Sequence, residues 1–179
     1  MNDSRKPSPH QREKGALSDS RNGLGVLFVC TGNICRSPTA EGVFRALVAQ
    51  AGLQARIVSA SAGTHGYHIG DPPDLRTIAH ARRRGYDLSS LRARRLEARD
   101  FERYDLLLAC DAGHRAILSR LAPRGTRGRV ALLMDYAPEL GLKEVPDPYY
   151  GGAADFEHVL DIVEPAAAGL LAALRRELE

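Results

Sequence analysis

The sequence predicts an α/β fold: one domain with a four-stranded parallel sheet and helices on both faces of the sheet. Short, continuous apolar runs that are typical of buried strands alternate along the chain with amphipathic helical segments. Strands that are apolar at every position are characteristic of parallel sheets covered on both faces by helices. Because ligands bind at the carboxyl ends of strands in such folds, the functional residues are expected at that edge.

The individual elements follow from apolar periodicity and from residues that begin or end helices. Strands are expected at residues 26–29, 57–60, 105–109 and 130–134. Helices are expected at residues 38–51, 74–84, 112–121 and 155–177. Pro38 suits the first turn of the first helix, and Gly52 and Gly85 are typical residues at which a helix ends.

Length and composition limit the classes of protein that fit. The 179 residues suffice for one domain with a substantial core. Residues 1–22 hold almost no large apolar side chain, so we expect a disordered tail there and one folded domain over residues 23–179. The 3 cysteines, the polar N-terminus and the lack of a long apolar run exclude a disulfide-rich secreted fold and a membrane span. A cytoplasmic monomer is expected.

The most informative segment reads VLFVCTGNICRSP, from Val26 to Pro38. A strand run ends at Cys30, five loop residues follow, and Arg36 precedes the first helix. Backbone N–H groups at such a strand-to-helix junction point inward and bind anions, and an arginine fork can hold two phosphate oxygens. The same positive field favours the nucleophilic thiolate form of Cys30. The fold prediction therefore includes a phosphate-binding loop between the first strand and the first helix.

Three motifs resemble those of the low molecular weight protein tyrosine phosphatases: CTGNICRSP from Cys30, Ser61-Ala-Gly63, and DPYYG from Asp147. The similarity covers roughly Gly25 to Leu171. The resemblance implies hydrolysis of phosphotyrosine through a cysteinyl-phosphate intermediate, without metal or cofactor. The implied substrates are tyrosine-phosphorylated proteins, a bacterial tyrosine kinase being one expected partner, and no nucleic acid is expected to bind.

The resemblance also assigns roles to individual residues. The catalytic residues are the nucleophile Cys30, the phosphate-binding Arg36 and the general acid and base Asp147. Substrate contacts are assigned to Thr31, Gly32, Asn33, Ile34, Cys35, Ser37, Tyr67, Tyr149 and Tyr150. The three tyrosines would form the walls of a slot deep enough for a phosphotyrosine ring. Support of the loop is assigned to Ser61, Arg94 and Asp111, with Ser61 bonded to Asn33.

Three loop residues carry further expectations. Asn33 suits a left-handed backbone conformation that few residues other than glycine adopt. Ser37 can donate its hydroxyl to the sulfur of Cys30, and as the residue before Pro38 it can also cap the first helix. The resemblance further implies that Cys35 forms a reversible disulfide with Cys30, which would protect the nucleophile from irreversible oxidation.

Two departures from the family pattern leave alternatives open. Cys110 stands where the family often has methionine, and Leu91 where bacterial members often have histidine. A thiol-dependent arsenate reductase shares this fold and loop, and Cys110 lies close to the position of its second redox cysteine. The next cysteine of that relay is absent, because Ile117 occupies its position. A non-catalytic phosphopeptide-binding module would need neither Cys30 nor Asp147.

Overall fold

A computed structural model describes residues 23–179, so the predicted tail over residues 1–22 lies outside the described residues. The sheet has four parallel strands in the order β2-β1-β3-β4. Their bounds are β1 Leu24–Cys30, β2 Ile57–Gly63, β3 Leu106–Ala109 and β4 Arg129–Leu132. The predicted fold class is confirmed. Since β1 is central and the chain moves first to β2 and then back to β3, a switch in strand order lies at the carboxyl end of β1, where ligand sites form.

Helices cover both faces of the sheet. Their bounds are α1 Arg36–Gln50, α2 Leu75–Arg83, α3 Asp100–Arg103, α4 Ala112–Leu121 and α5 Ala153–Leu178. Alternate residues of β1 enter two different cores: Val26 and Phe28 pack with α1 and α5 on one face. Leu27 and Val29 pack with α3 and α4 on the other. This burial on both faces explains why β1 is apolar throughout.

Two elements differ from the prediction. The expected strand over residues 130–134 ends at Leu132, and Leu133–Tyr136 form a short 3-10 helix. The carboxylate of Asp135 accepts the backbone N–H of Leu132 at 3.1 Å and turns the chain. Leu133 and Met134 are buried against α5 instead of in the sheet, so apolar continuity was misleading there. The four-residue helix α3 was missed because so short a segment carries no periodicity.

The carboxyl ends of β1 and β2 are held close together beneath the loop that leaves Cys30. In the ladder, Cys30 lies opposite Gly63. A Cβ added to Gly63 would lie 2.6 Å from the backbone oxygen of Thr31, so only glycine permits this approach. Strand β2, which was expected at residues 57–60, therefore extends three residues further, through Ser61 to Gly63.

Candidate active site

The loop between β1 and α1 presents unpaired N–H groups around the nucleophile candidate. Cys30 ends β1 and is 3% exposed, and Arg36 begins α1. In the part of the chain that the structure describes, the backbone N–H groups of residues 32–36 donate to no protein acceptor. Several N–H groups at a helix N-terminus, free and on one loop, form a site that favours an anion.

Asn33 shapes this loop. It is the residue other than glycine that has a positive φ within residues 23–179, at 58°. Its side-chain amide donates to Ser37 Oγ at 2.8 Å and to Ser61 Oγ at 2.9 Å. Its side-chain oxygen Oδ1 accepts the backbone N–H of Arg94 at 3.0 Å. These three bonds compensate for a backbone conformation that is otherwise unfavourable.

The hydrogen-bond directions around Asn33 can be read from its neighbours. Ser61 donates to the buried carboxylate of Glu41 at 2.6 Å and accepts from Asn33. Burial raises the pKa of Glu41, and the Ser61 hydroxyl opposes that shift. Ser37 Oγ accepts from Asn33 and lies 3.0 Å from the sulfur of Cys30. The Ser37 hydroxyl is thus free to donate its proton to a Cys30 thiolate. This hydrogen bond to the charged sulfur would stabilise the thiolate.

Ser37 does not cap α1. The helix begins one residue earlier, at Arg36, with Cys35 at the N-cap position and no side-chain cap. Ser37 is fully buried and its hydroxyl faces Cys30 and Asn33. The expectation of a capping role is therefore wrong, because the loop already ends at Arg36 and places Ser37 in the first helical turn.

Arg36 closes the loop from a buried position. One of its terminal nitrogens donates to Asp111 at 2.9 Å and to the backbone oxygen of Val145 at 3.2 Å. The other lies 3.5 Å from Asp147. The Arg36 side chain is 6% exposed. Two carboxylates therefore hold the guanidinium at the loop, where its fork can serve a bound anion.

Asp147 stands at the open side of this arrangement. Its side chain is half exposed, and its second oxygen accepts the backbone N–H of Tyr149 at 3.1 Å. Pro148 is buried, which fixes the direction of the segment, and Val145 anchors it by bonding to the backbone of Cys110 at 2.8 Å. An ionisable, accessible carboxyl next to the anion site has the position that a proton donor needs.

The three tyrosines lie at different depths. Tyr149 is 37% exposed, and its backbone oxygen accepts from Arg76 at 3.0 Å. Tyr150 is 95% exposed and contacts the Tyr149 ring edge-on at 4.9 Å. Tyr67 is 73% exposed and stacks on His65 at 5.1 Å. Only Tyr149 among them is half-buried, so the tyrosines form an outer rim more than a closed slot.

The remaining loop residues pack against neighbouring segments. The backbone oxygen of Ile34 accepts from Asp74 at 2.9 Å, just before α2 begins. Gly32 lies against the ring of His68, which a Cβ would approach to 3.1 Å. Cys35 packs with Ala93 and Phe156. Burial raises the pKa of Cys35 to about 12, so this thiol is protonated at neutral pH.

The supporting residues lie behind the loop. Arg94 bonds Asn33 through its backbone, while its guanidinium holds the fully buried Asp100 of α3 at 2.9 and 3.1 Å. Leu91, being apolar, supplies no side-chain hydrogen bond to the loop. Cys110 is buried in the same core as Cys30, and burial raises the pKa of its thiol.

Two contributors to the site were not recognised from the sequence. Glu41 in α1 accepts from Ser61, and His114 in α4 contacts Thr31 at 2.8 Å. A carboxylate on the buried face of α1 was a detectable signal for Glu41, because buried charges are rare unless they are paired. The spacing Asp111–His114 at the start of a helix was the signal for His114, since it is typical of a side-chain N-cap.

The comparisons agree with this geometry. Residues 25–179 match the family model described as low molecular weight phosphotyrosine protein phosphatase. The chain is 50% identical over 157 residues to a low molecular weight protein-tyrosine-phosphatase of Streptomyces coelicolor, covering 86% of this chain and 95% of that relative. The chain therefore belongs to the low molecular weight phosphotyrosine protein phosphatase family. The expected family and enzyme class are confirmed.

Solved structures give the same result. A protein tyrosine phosphatase from Entamoeba histolytica superposes with a TM-score of 0.83 at 35% identity, covering 87% of this chain and 99% of that one. A second neighbour is a Drosophila protein named as an arginine phosphatase, with a TM-score of 0.79 at 27% identity. That alignment covers 83% of this chain and 96% of the Drosophila chain.

Two further findings concern metal sites and membrane spans. Within residues 23–179, no three side chains of His, Cys, Asp or Glu converge as a metal site requires. No helix in the same range is long and apolar enough to cross a bilayer.

Proposed function

We propose that this protein hydrolyses phosphotyrosine in proteins through a cysteinyl-phosphate intermediate. The observation that carries the proposal is the arrangement around Cys30. The thiol lies at the base of a loop with free backbone N–H groups, 3.0 Å from the Ser37 hydroxyl. The buried guanidinium of Arg36 and the carboxyl of Asp147 stand together at the loop, 3.5 Å apart.

In the first step the Cys30 thiolate attacks phosphorus, and the bond from phosphorus to the tyrosyl oxygen breaks. The Asp147 carboxyl gives its proton to that oxygen, so the leaving group departs as a neutral phenol. Arg36 and the loop N–H groups stabilise the equatorial phosphoryl oxygens, where most of the catalysis of phosphoryl transfer arises.

In the second step water attacks the cysteinyl phosphate. The Asp147 carboxylate takes a proton from the water, and the bond between sulfur and phosphorus breaks to release inorganic phosphate. The Ser37 hydroxyl stabilises the departing Cys30 thiolate, a role supported by the hydrogen bond that Ser37 accepts from Asn33. The enzyme returns to its starting state without a cofactor.

The tyrosines of the rim favour aryl phosphates over alkyl phosphates as substrates. A half-buried aromatic side chain at Tyr149, held through its backbone by Arg76, can pack against a substrate ring. A phosphoserine side chain is shorter and offers no ring to this wall. The proposed substrates are therefore proteins phosphorylated on tyrosine, among them an autophosphorylating bacterial tyrosine kinase.

The test compares phosphopeptides that carry phosphotyrosine, phosphoserine or phosphoarginine, together with an arsenate reduction assay under reducing conditions. The phosphoarginine peptide is included because a similar structure carries that activity in its name. Wild type should hydrolyse phosphotyrosine selectively, Cys30→Ser should be inactive, and Asp147→Ala should lose about 10²-fold or more in kcat.

Other outcomes would replace the proposal. Thiol-coupled arsenate reduction without phosphatase turnover would indicate the reductase. That outcome is unexpected because a second redox thiol must react as a thiolate. Cys110 is completely buried, and burial raises the pKa of its thiol. Phosphopeptide binding without turnover, unchanged in Cys30→Ser, would indicate a binding module.

A further inference from the structure

His114 occupies an unusual position beside the phosphate-binding loop. It lies in the first turn of α4 and is 4% exposed, so it cannot meet solvent or a protein partner directly. Its ring Nε2 is 2.8 Å from the hydroxyl of Thr31, the residue that follows Cys30. None of the steps proposed above uses this histidine.

The ring of His114 lies between Asp111 and Thr31. The Asp111 carboxylate accepts the backbone N–H of His114 at 2.8 Å and lies 3.0 Å from ring Nδ1. Among residues 23–179, Nδ1 has no hydrogen-bond partner, so the bond from Nε2 to Thr31 is the hydrogen bond that the ring makes. The Thr31 hydroxyl and the His114 ring are therefore joined by a hydrogen bond that either tautomer of the ring can make, because a hydroxyl can both donate and accept.

The ring is neutral in this setting. Burial lowers the pKa of His114, and the neighbouring Arg36 and His65 lower it further, whereas Asp111 and Asp147 oppose that shift. A neutral imidazole has one nitrogen that donates and one that accepts, and either can bond the Thr31 hydroxyl.

The same helix start holds both ends of the loop. One oxygen of Asp111 faces His114 and the other accepts from Arg36 at 2.9 Å. Thr31 begins the loop and Arg36 ends it, so the first turn of α4 is connected to both ends by side-chain bonds. Donors that stabilise a phosphoryl group are most effective when they are held in place before the ligand binds.

We infer that His114 is a positioning residue that holds the start of the phosphate-binding loop, through the Thr31 hydroxyl, in the conformation that binds a phosphoryl group. The inference rests on the proposed function only in that the loop binds phosphoryl groups. His114 touches neither the nucleophile nor the proton donor in the contacts described above, and it acts through Thr31.

The experiment measures binding of inorganic phosphate by calorimetry to the full chain. The variants are Thr31→Val, which keeps the shape but removes the hydroxyl, His114→Ala, and the two combined. Each single change should raise the Kd for phosphate about tenfold, the effect of losing one buried hydrogen bond. The double variant should lose no more than either single one, because both changes remove the same interaction.

Three controls separate positioning from general stability. Thr31→Ser keeps the hydroxyl and should recover most of the phosphate affinity that Thr31→Val loses. His158→Ala removes an exposed histidine of α5 and should change nothing. With a phosphotyrosine peptide, Thr31→Val should raise KM more than it lowers kcat, whereas simple loss of folded protein would lower the apparent kcat alone.

The outcomes distinguish this inference from the proposed function. Phosphate affinity within about twofold of wild type in Thr31→Val, or losses that multiply to about 100-fold in the double variant, would overturn it. If His114→Ala does not fold, Thr31→Val against Thr31→Ser decides alone. Phosphate binding that weakens as expected in an enzyme that turns over no phosphotyrosine would leave the inference standing and refute the proposed function.

Discussion

The phosphate-binding loop and the rim above it are constructed differently. In the loop, Asn33, Arg36 and Ser37 are 5% exposed or less, and each makes at least two side-chain hydrogen bonds. The rim consists of Asp147 and the three tyrosines around the opening of the site. There Asp147 is half exposed and Tyr150 almost completely so. A buried polar group that loses a partner is costly, whereas an exposed group can turn to water.

This difference separates two tasks. A loop whose polar groups all depend on one another keeps one geometry, as recognition of a tetrahedral dianion requires. A rim with few internal bonds can adapt to different peptides and can exchange protons with water. Substitutions in the loop should therefore slow the reaction, while those of the rim tyrosines should change which substrates are accepted.

Apart from loss of the nucleophile Cys30, the largest effect is expected for Arg36→Lys. Lysine keeps the charge but loses the planar fork that bonds Asp111 and Val145 and that, in the proposed mechanism, also holds the phosphoryl group. We expect kcat/KM for a phosphotyrosine peptide to fall by about 10³-fold. The exposed Arg115→Lys on α4 is the matched control and should retain wild-type kinetics. A loss smaller than tenfold in Arg36→Lys would mean that charge alone suffices.

Asn33 offers a way to separate backbone conformation from side-chain bonding. Asn33→Ala removes three hydrogen bonds and places a poorly suited residue at a φ of 58°, so kcat/KM should fall by about 10²-fold. Asn33→Gly removes the same bonds but tolerates that φ, so about tenfold should be recovered. Steady-state kinetics and thermal unfolding of both variants check this. Equal losses would assign the whole effect to the hydrogen bonds.

A smaller effect is expected on the rim. Tyr149→Ala should raise KM for a phosphotyrosine peptide by about tenfold and change kcat by less than about threefold, because an aromatic wall contributes mainly to binding. Tyr150→Ala should stay within about twofold, since that side chain is 95% exposed. A large drop in kcat for Tyr149→Ala would instead indicate that this ring helps to place Asp147.

The smallest effect concerns stability against pH. The pKa of His114 is lowered in the folded protein relative to its ordinary value of 6.5, mainly by burial. Below pH 6.5 the unfolded chain therefore binds the proton first, and the folded protein loses stability as the pH falls. His114→Gln should reduce the fall in Tm between pH 7 and pH 5.5 by about 2–4 °C. The exposed His158→Gln should keep the wild-type pH dependence, and an unchanged dependence in His114→Gln would contradict this account.

Much of the fold and the loop could be predicted because their signals are local. The alternation of apolar runs and helical segments identified the parallel sheet, and residues 30–36 hold the thiol, the turn residues and the arginine within one short loop. The last strand was predicted too long, because Leu133 and Met134 are as apolar as a strand but pack on α5. The tyrosine slot was expected to be deeper than the exposed rim that is present.

The sequence by itself determined the chemistry of the loop, since strand, anion-binding loop and helix follow one another without interruption and their geometry depends on neighbouring residues. Only the tertiary structure decided how that loop is held. Glu41 meets Ser61, His114 meets Thr31 and Arg94 meets Asn33 because the order of strands brings distant segments to one edge of the sheet. Contacts between residues far apart in the chain depend on that packing, and a local signal such as the buried carboxylate of Glu41 indicates that a partner exists but not which residue it is.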